Sequence, residues 1–193
     1  MIERRSPVSD SERVRRTLRL AIPVAAPLLM AASCGGPEGP WVSPLAFDTV
    51  GVQVVVDGDA ASPSSTPPLL LVELADTDEK HRFGLSRRPS LDSGSGMLFH
   101  FDSIQGEESG FWMFRTRIPL DIAFLDSAGI ILDIQTMEPC ESPNPEWCPL
   151  HSPGIPFQGA LEVNQGWFRQ YGVVAGQRVE VTEPPAPPTG GDG

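Results

Sequence analysis

The chain has 193 residues, 25 of them acidic and 14 basic, for a formal net charge of −11. Six arginines fall before residue 34, so the remainder is more acidic still and has no basic patch; this excludes a protein built to grip a phosphate backbone. No G-x-S-x-G elbow, phosphate-binding glycine loop, H-E-x-x-H or dinucleotide fingerprint occurs, so no cofactor is expected and the common enzyme classes lack their motif.

The N-terminal "MIERRSPVSDSERVRRTLR" is basic, and "LAIPVAAPLLMAAS" is apolar. The apolar run is about 14 residues, shorter than the ~20 a spanning helix needs, and Pro23 and Pro27 interrupt it. A basic start, a short apolar run and small residues make a cleaved export signal. "MAASC" resembles a bacterial lipobox, with Ala31 where Leu is usual. That resemblance implies lipidation of Cys34 and a membrane-anchored protein of the cell envelope; an ordinary signal cut near Ser33 is the alternative. The expected division is a signal peptide at 1–33, a Gly/Pro-rich tether at 34–45, a single domain at 46–182 and a disordered Pro/Gly-rich tail at 183–193.

Within the domain, "LAFDTVGVQVVVDG" predicts a strand or a bent pair, and "LLLVELADT" a buried strand. "DTDEKHRFGLSRR" predicts a short helix ending near Gly84, capped by Asp76 with Glu79 at capping-box spacing. "GMLFHFD" and "SGFWMF" predict further strands. "LDIAFLDSAGIILDIQTM" is the clearest hairpin, with Gly129 supplying the turn's positive φ. "ALEV" and "QRVEV" are strands; between them Asn164 is placed to cap a short helix and Gly172 to end it. The α/β alternation does not repeat. The fold expected is therefore mainly β: one compact antiparallel barrel or sandwich with two short helices.

Cys140 and Cys148 close the Pro-rich segment "CESPNPEWC". In an exported chain they form a disulfide, worth roughly 2–3 kcal/mol for so small a ring. The rival is zinc on Cys140, Cys148 and His151, but only one tight ligand pair is present, so no metal is assigned. His81 and His100 have no partner at ligand spacing.

The blocks "VELADTDEKHRFGLSRR", "GMLFHF", "FWM..T.IPLDIAFLD..G.I.DI..MEPC" and "ALEVNQGWF" stand in the order found in domain-of-unknown-function family 192. The chain resembles that family over nearly all of 70–181. The resemblance implies a compact, mainly β domain, often exported, and carries no reaction. The family commonly has Lys and Asn after "FWM"; here Phe114 and Arg115 stand there, so the positive charge is displaced by one residue.

Candidate site residues lie around that block. Strand alternation groups Phe111, Met113 and Arg115 on one face and Trp112, Phe114 and Thr116 on the other. Trp112 is either a half-buried surface aromatic or the wall of a groove that stacks a sugar or peptide. Asp121, in an apolar strand start, pairs with Arg87 or Arg117, bonds backbone at a bend, or meets ligand. Glu73 and Glu162 each interrupt an apolar strand. If they face inwards with Asp121 and Glu138, they form a carboxylate cluster with Arg87 as counter-charge. The candidate ligand-binding set is thus Arg87, Trp112, Arg115, Asp121, Glu138 and Glu162. It suits a small module for carbohydrate or peptide. The alternatives are a carboxylate-based hydrolase of envelope polymers and an assembly factor that binds an envelope protein.

Overall fold

A computed structural model describes residues 41–56 and 66–184. The expected export signal, Cys34, most of the expected tether and nearly all of the expected tail lie outside the described residues. Nine strands follow in chain order: β1 Asp48–Val55, β2 Leu70–Ala75, β3 Ser95–Gln105, β4 Phe111–Trp112, β5 Leu120–Leu125, β6 Ile131–Met137, β7 Leu150–His151, β8 Phe157–Asn164 and β9 Arg178–Thr182. Helix α1 (Asp78–Phe83) lies between β2 and β3, and α2 (Trp167–Gln170) between β8 and β9.

Seven strands form one sheet in the order β6-β5-β8-β3-β2-β1-β9, and β4 pairs with β7 alone. The sheet curls until its two edge strands meet at one end. Ile131 donates its N–H to the Gln177 carbonyl at 2.8 Å, and Val179 to that of Gly129 at 2.9 Å. Gly129, at φ 78°, turns the β5–β6 hairpin at this seam. A Cβ there would sit 2.5 Å from the Val179 carbonyl oxygen, so the seam admits only glycine. The mainly β fold with two short helices is thus present, its curled seven-strand sheet forming a half-barrel. One pairing departs from the antiparallel expectation: β2 and β3 run parallel. A single crossover through α1 is enough to return the chain in the same direction, without any repeat of α/β alternation.

The helix caps also differ from expectation. Thr77, not Asp76, caps α1 by accepting the Lys80 N–H, while Asp76 pairs with the Lys80 ammonium at 2.8 Å. Asn164 does not cap α2; its amide donates to the carbonyls of Leu91 and Asp92. The residue that receives the first N–H of that turn, from Gly166, is Asp121.

The central strands are buried on both faces, which explains their unbroken apolar runs. On the inner face, Val52, Val72, Leu98, Ala123, Leu161 and Val163 pack with Trp167 and Phe168 of α2. On the outer face, Met97, Phe99, Ile122, Phe124, Phe157 and Ala160 pack beneath Leu85, Met113 and Met137. The outer cover is mostly irregular chain. It includes the Pro-rich lobe, closed by the Cys140–Cys148 disulfide with its Cα atoms 5.7 Å apart. That bond removes the thiolates from the zinc reading.

Phe124→Ala should lower stability by about 3–5 kcal/mol, since the ring is fully buried and the rigid strands around it cannot collapse. Gly129→Val should cost about 1–3 kcal/mol by opening the seam. Urea unfolding of both variants checks the pair; a neutral Gly129→Val would mean the edges need not meet.

Candidate functional site

The pleat of the sheet decides where the candidate carboxylates go. Opposite residues on paired strands share a face. Glu73 lies beside Met97, and Met97 beside Glu162, so these three share the outer face. Asp121 pairs with Val163, one residue past Glu162, and therefore points to the inner face. There both its oxygens are occupied, one by the Thr136 hydroxyl at 2.8 Å and one by the Gly166 N–H at 2.7 Å. Of the alternatives for Asp121, the structure has it bonding backbone at a bend. Glu138 is exposed beyond β6 and accepts from the Gln165 amide. Glu73 is paired with Arg88, which is buried and stacks on Trp41 with its guanidinium 4.9 Å from the ring centroid. The counter-charge is thus Arg88, and its neighbour Arg87 is exposed. The four carboxylates do not form a cluster.

Of the four, only Glu162 lines the aromatic cavity. The cavity holds about 240 Å³ between the outer face of β3 and β8, the end of α1 and the β4 region. Phenylalanines build its walls. Phe99 meets Phe111 edge-on at 4.8 Å, and Phe101 lies 4.4 Å from the ring of His81 on α1. His81 is held there because its Nε2 lies 3.0 Å from the carbonyl oxygens of both Ala75 and His100. Trp112 and Phe114 line the cavity as well, their centroids 6.4 Å apart, with Trp112 48% exposed.

Glu162 is only 5% exposed, and no hydrogen-bond partner for its carboxyl occurs among the described residues. Burial disfavours the charged form and pushes its pKa up to about 8. At neutral pH the group is mostly protonated, so it presents one donor and one acceptor. A buried polar group without a protein partner is costly unless something else bonds it.

Beside the cavity is a second depression, of about 740 Å³, lined by Arg87, Arg115, Arg117, Pro139, Cys140 and Glu141. Thr116 lines both hollows. Here the strand expected through "FWMF" stops. β4 ends at Trp112, Met113 is buried, and Arg115 turns into the left-handed region at φ 62°. Arg115 therefore does not follow Phe111 and Met113 by alternation; its guanidinium stacks on Phe114 at 4.9 Å. Arg87 also has a positive φ, 65°, and its N–H donates to the Arg115 carbonyl at 2.7 Å.

Of the expected set, Trp112 and Glu162 therefore share the cavity, Arg87 and Arg115 share the depression beside it, and Asp121 and Glu138 belong to neither. The wall residues His81, Phe99 and Phe101 were not anticipated. The alternation of "FHF" places Phe99 and Phe101 on one face, which is the signal that could have found them. Among the described residues, no group of three His, Cys, Asp or Glu is placed to hold a metal.

Residues 61–181 match the family described as uncharacterized ACR, domain of unknown function 192. No curated protein matches the chain significantly. The solved structures that resemble it include two of related sequence. One, from Sinorhizobium meliloti 1021 and bearing the name of a transcription regulator, is 27% identical with a TM-score of 0.60; the match covers 72% of this chain and 98% of that one. The other, from Novosphingobium aromaticivorans, is a protein of unknown function, 27% identical with a TM-score of 0.54; the match covers 75% of this chain and 94% of that one.

Linkage makes the buried carboxyl visible. A carboxyl pKa raised from 4.5 to about 8 means the native state holds a proton that the unfolded chain has lost. Stability from this group is full below pH 4.5, falls by about 1.4 kcal/mol per pH unit as pH rises, and levels off above pH 8. Glu162→Gln should flatten that slope and exceed wild type in stability at pH 9. Equal pH profiles for the two proteins would mean that Glu162 ionises freely.

Proposed function

The chain belongs to domain-of-unknown-function family 192, and from that premise we propose that it is a small-ligand-binding module held in the cell envelope. The observation that carries this reading is Glu162, buried in an aromatic cavity with no hydrogen-bond partner among the described residues. Such a cavity favours a ligand with an apolar face against the rings and a neutral donor–acceptor edge for the carboxyl. An amide, as in a peptide or an N-acylated sugar, has that edge. The hydrolase reading has less support, because a carboxylate mechanism needs a second carboxyl and none lines the cavity beside Glu162. The assembly reading has one observation in its favour: Trp147, Leu150 and Ile155 of the disulfide lobe are exposed. The transcription-regulator name of the Sinorhizobium protein fits this acidic surface poorly.

The envelope location rests on the basic, apolar and Cys34 pattern at the N-terminus, and on a disulfide that suits an oxidising compartment. Metabolic labelling with a radioactive fatty acid should mark the wild-type protein and not Cys34→Ala. Label retained by the variant would remove the anchor from this account.

For the ligand, thermal unfolding against a panel of N-acylated sugars, muropeptides and short peptides should give a raised midpoint. A ligand at a hundredfold over its dissociation constant adds about 2.7 kcal/mol. Trp112→Ala should weaken binding while leaving the unliganded midpoint nearly unchanged, since Trp112 is half exposed. Affinity should decline above pH 8 in wild type and not in Glu162→Gln, because only the protonated acid donates. No shift from any small ligand would move the assignment to a protein partner on the disulfide lobe.

A further inference from the structure

Eight basic residues remain from residue 34 onward, and all eight are described. Lys80, Arg88 and Arg178 form ion pairs. Arg82, Arg87, Arg115, Arg117 and Arg169 form none among the described residues. In a chain with a large excess of carboxylates, three of these five unpaired arginines line a single depression, together with one acidic residue, Glu141. Like charges gathered without counter-charges repel one another, and an ordinary acidic surface would have placed carboxylates between them.

We propose that Arg87, Arg115 and Arg117 form an oxyanion-binding site, separate from the aromatic cavity, that takes a carboxylate or phosphate group. The guanidinium fork matches both anions by paired N–H···O bonds, which a lysine cluster would not do. The backbone gives an independent reason. Among the described residues, Arg87 and Arg115 are the two non-glycine residues with positive φ, and one hydrogen bond joins them. Glycine suits that conformation better, yet an arginine stands at each place; strain of this kind gathers where a side chain has a task. The mount is also firm. Arg115 is stacked on Phe114, and Cys140, anchored by the disulfide, donates its N–H to Met113 at 3.3 Å across the floor of the turn. Arg115, held in place before the anion arrives, loses little freedom on binding it, while the exposed side chains of Arg87 and Arg117 close on the anion from beside it.

The test uses the oxidised protein at low ionic strength, titrated with inorganic phosphate and separately with glucuronate, following the arginine Nε–H signals by NMR. Saturable shifts at Arg87, Arg115 and Arg117, but not at Arg169, are expected with at least one probe; the probe that saturates identifies phosphate or carboxylate as the group. Added sodium chloride should weaken the binding. The double substitution Arg87→Gly and Arg115→Gly should weaken it on the order of a hundredfold, about tenfold for each arginine, without lowering the unfolding midpoint. Arg117→Gln, which leaves the strained backbone untouched, should weaken it about tenfold by the same reasoning. Glu162→Gln should leave it unchanged, so a failure here is distinct from a failure of the aromatic cavity. Shifts that never saturate, equal shifts at Arg169, or variants that bind as tightly as wild type would overturn the site.

Discussion

Everything on the outer face follows from one constraint: β5, β8 and the first half of β3, Gly96–Phe99, are buried on both sides. A sheet with two apolar faces must be covered twice. Curling supplies the first cover, because the barrel closes over its own inner face and α2 fills the end. The second cover has to come from chain outside the sheet. That chain is α1, the arginine-bearing turns and the disulfide lobe, none of which is long or regular. Their edges do not meet perfectly, and the gap between them is the cavity above Glu162. The site is therefore a consequence of covering a curved apolar surface with short pieces of chain.

Two carboxylates in neighbouring strands show how far the pleat governs chemistry. Asp121 and Glu162 are offset by a single residue in register and so stand on opposite faces. Asp121 meets a hydroxyl and a backbone N–H and becomes a structural brace between β5, β6 and the start of α2. Glu162 lies between Met97 and Ile122 and faces the aromatic cavity, where burial raises its pKa. The residue types are nearly alike, and the difference in role comes wholly from which side of the sheet each occupies.

The disulfide lobe matters in the same way. It has little secondary structure apart from β7 and a 3-10 turn at Pro145–Trp147, so its position depends on the Cys140–Cys148 bond and on the short β4–β7 pairing. Phe111 and Trp112 are thereby held at the cavity while Arg115 swings to the other side of Phe114. One short segment thus contributes to an apolar hollow and to a cationic one, separated by Thr116 and the Phe114 ring.

Local order alone was enough for most of the strands, the Gly129 turn, both short helices and the disulfide. Each is written in neighbouring residues: a run of β-branched side chains, a glycine where φ must be positive, two cysteines across a Pro-rich loop. The family was legible for the same reason, as ordered blocks of sequence. Glu162 was legible as an acid within an apolar strand, and Trp112 as a wall residue. Tertiary structure alone decided the rest. Strand order and register separated Asp121 from Glu162 and joined Glu73 to Arg88 instead of Arg87. The parallel β2–β3 pair depended on where α1 crossed. Arg115 left the face that alternation assigned it because the chain turned at Met113 to cover the core. These outcomes depend on which distant segments pack together, and no spacing within the chain encodes that.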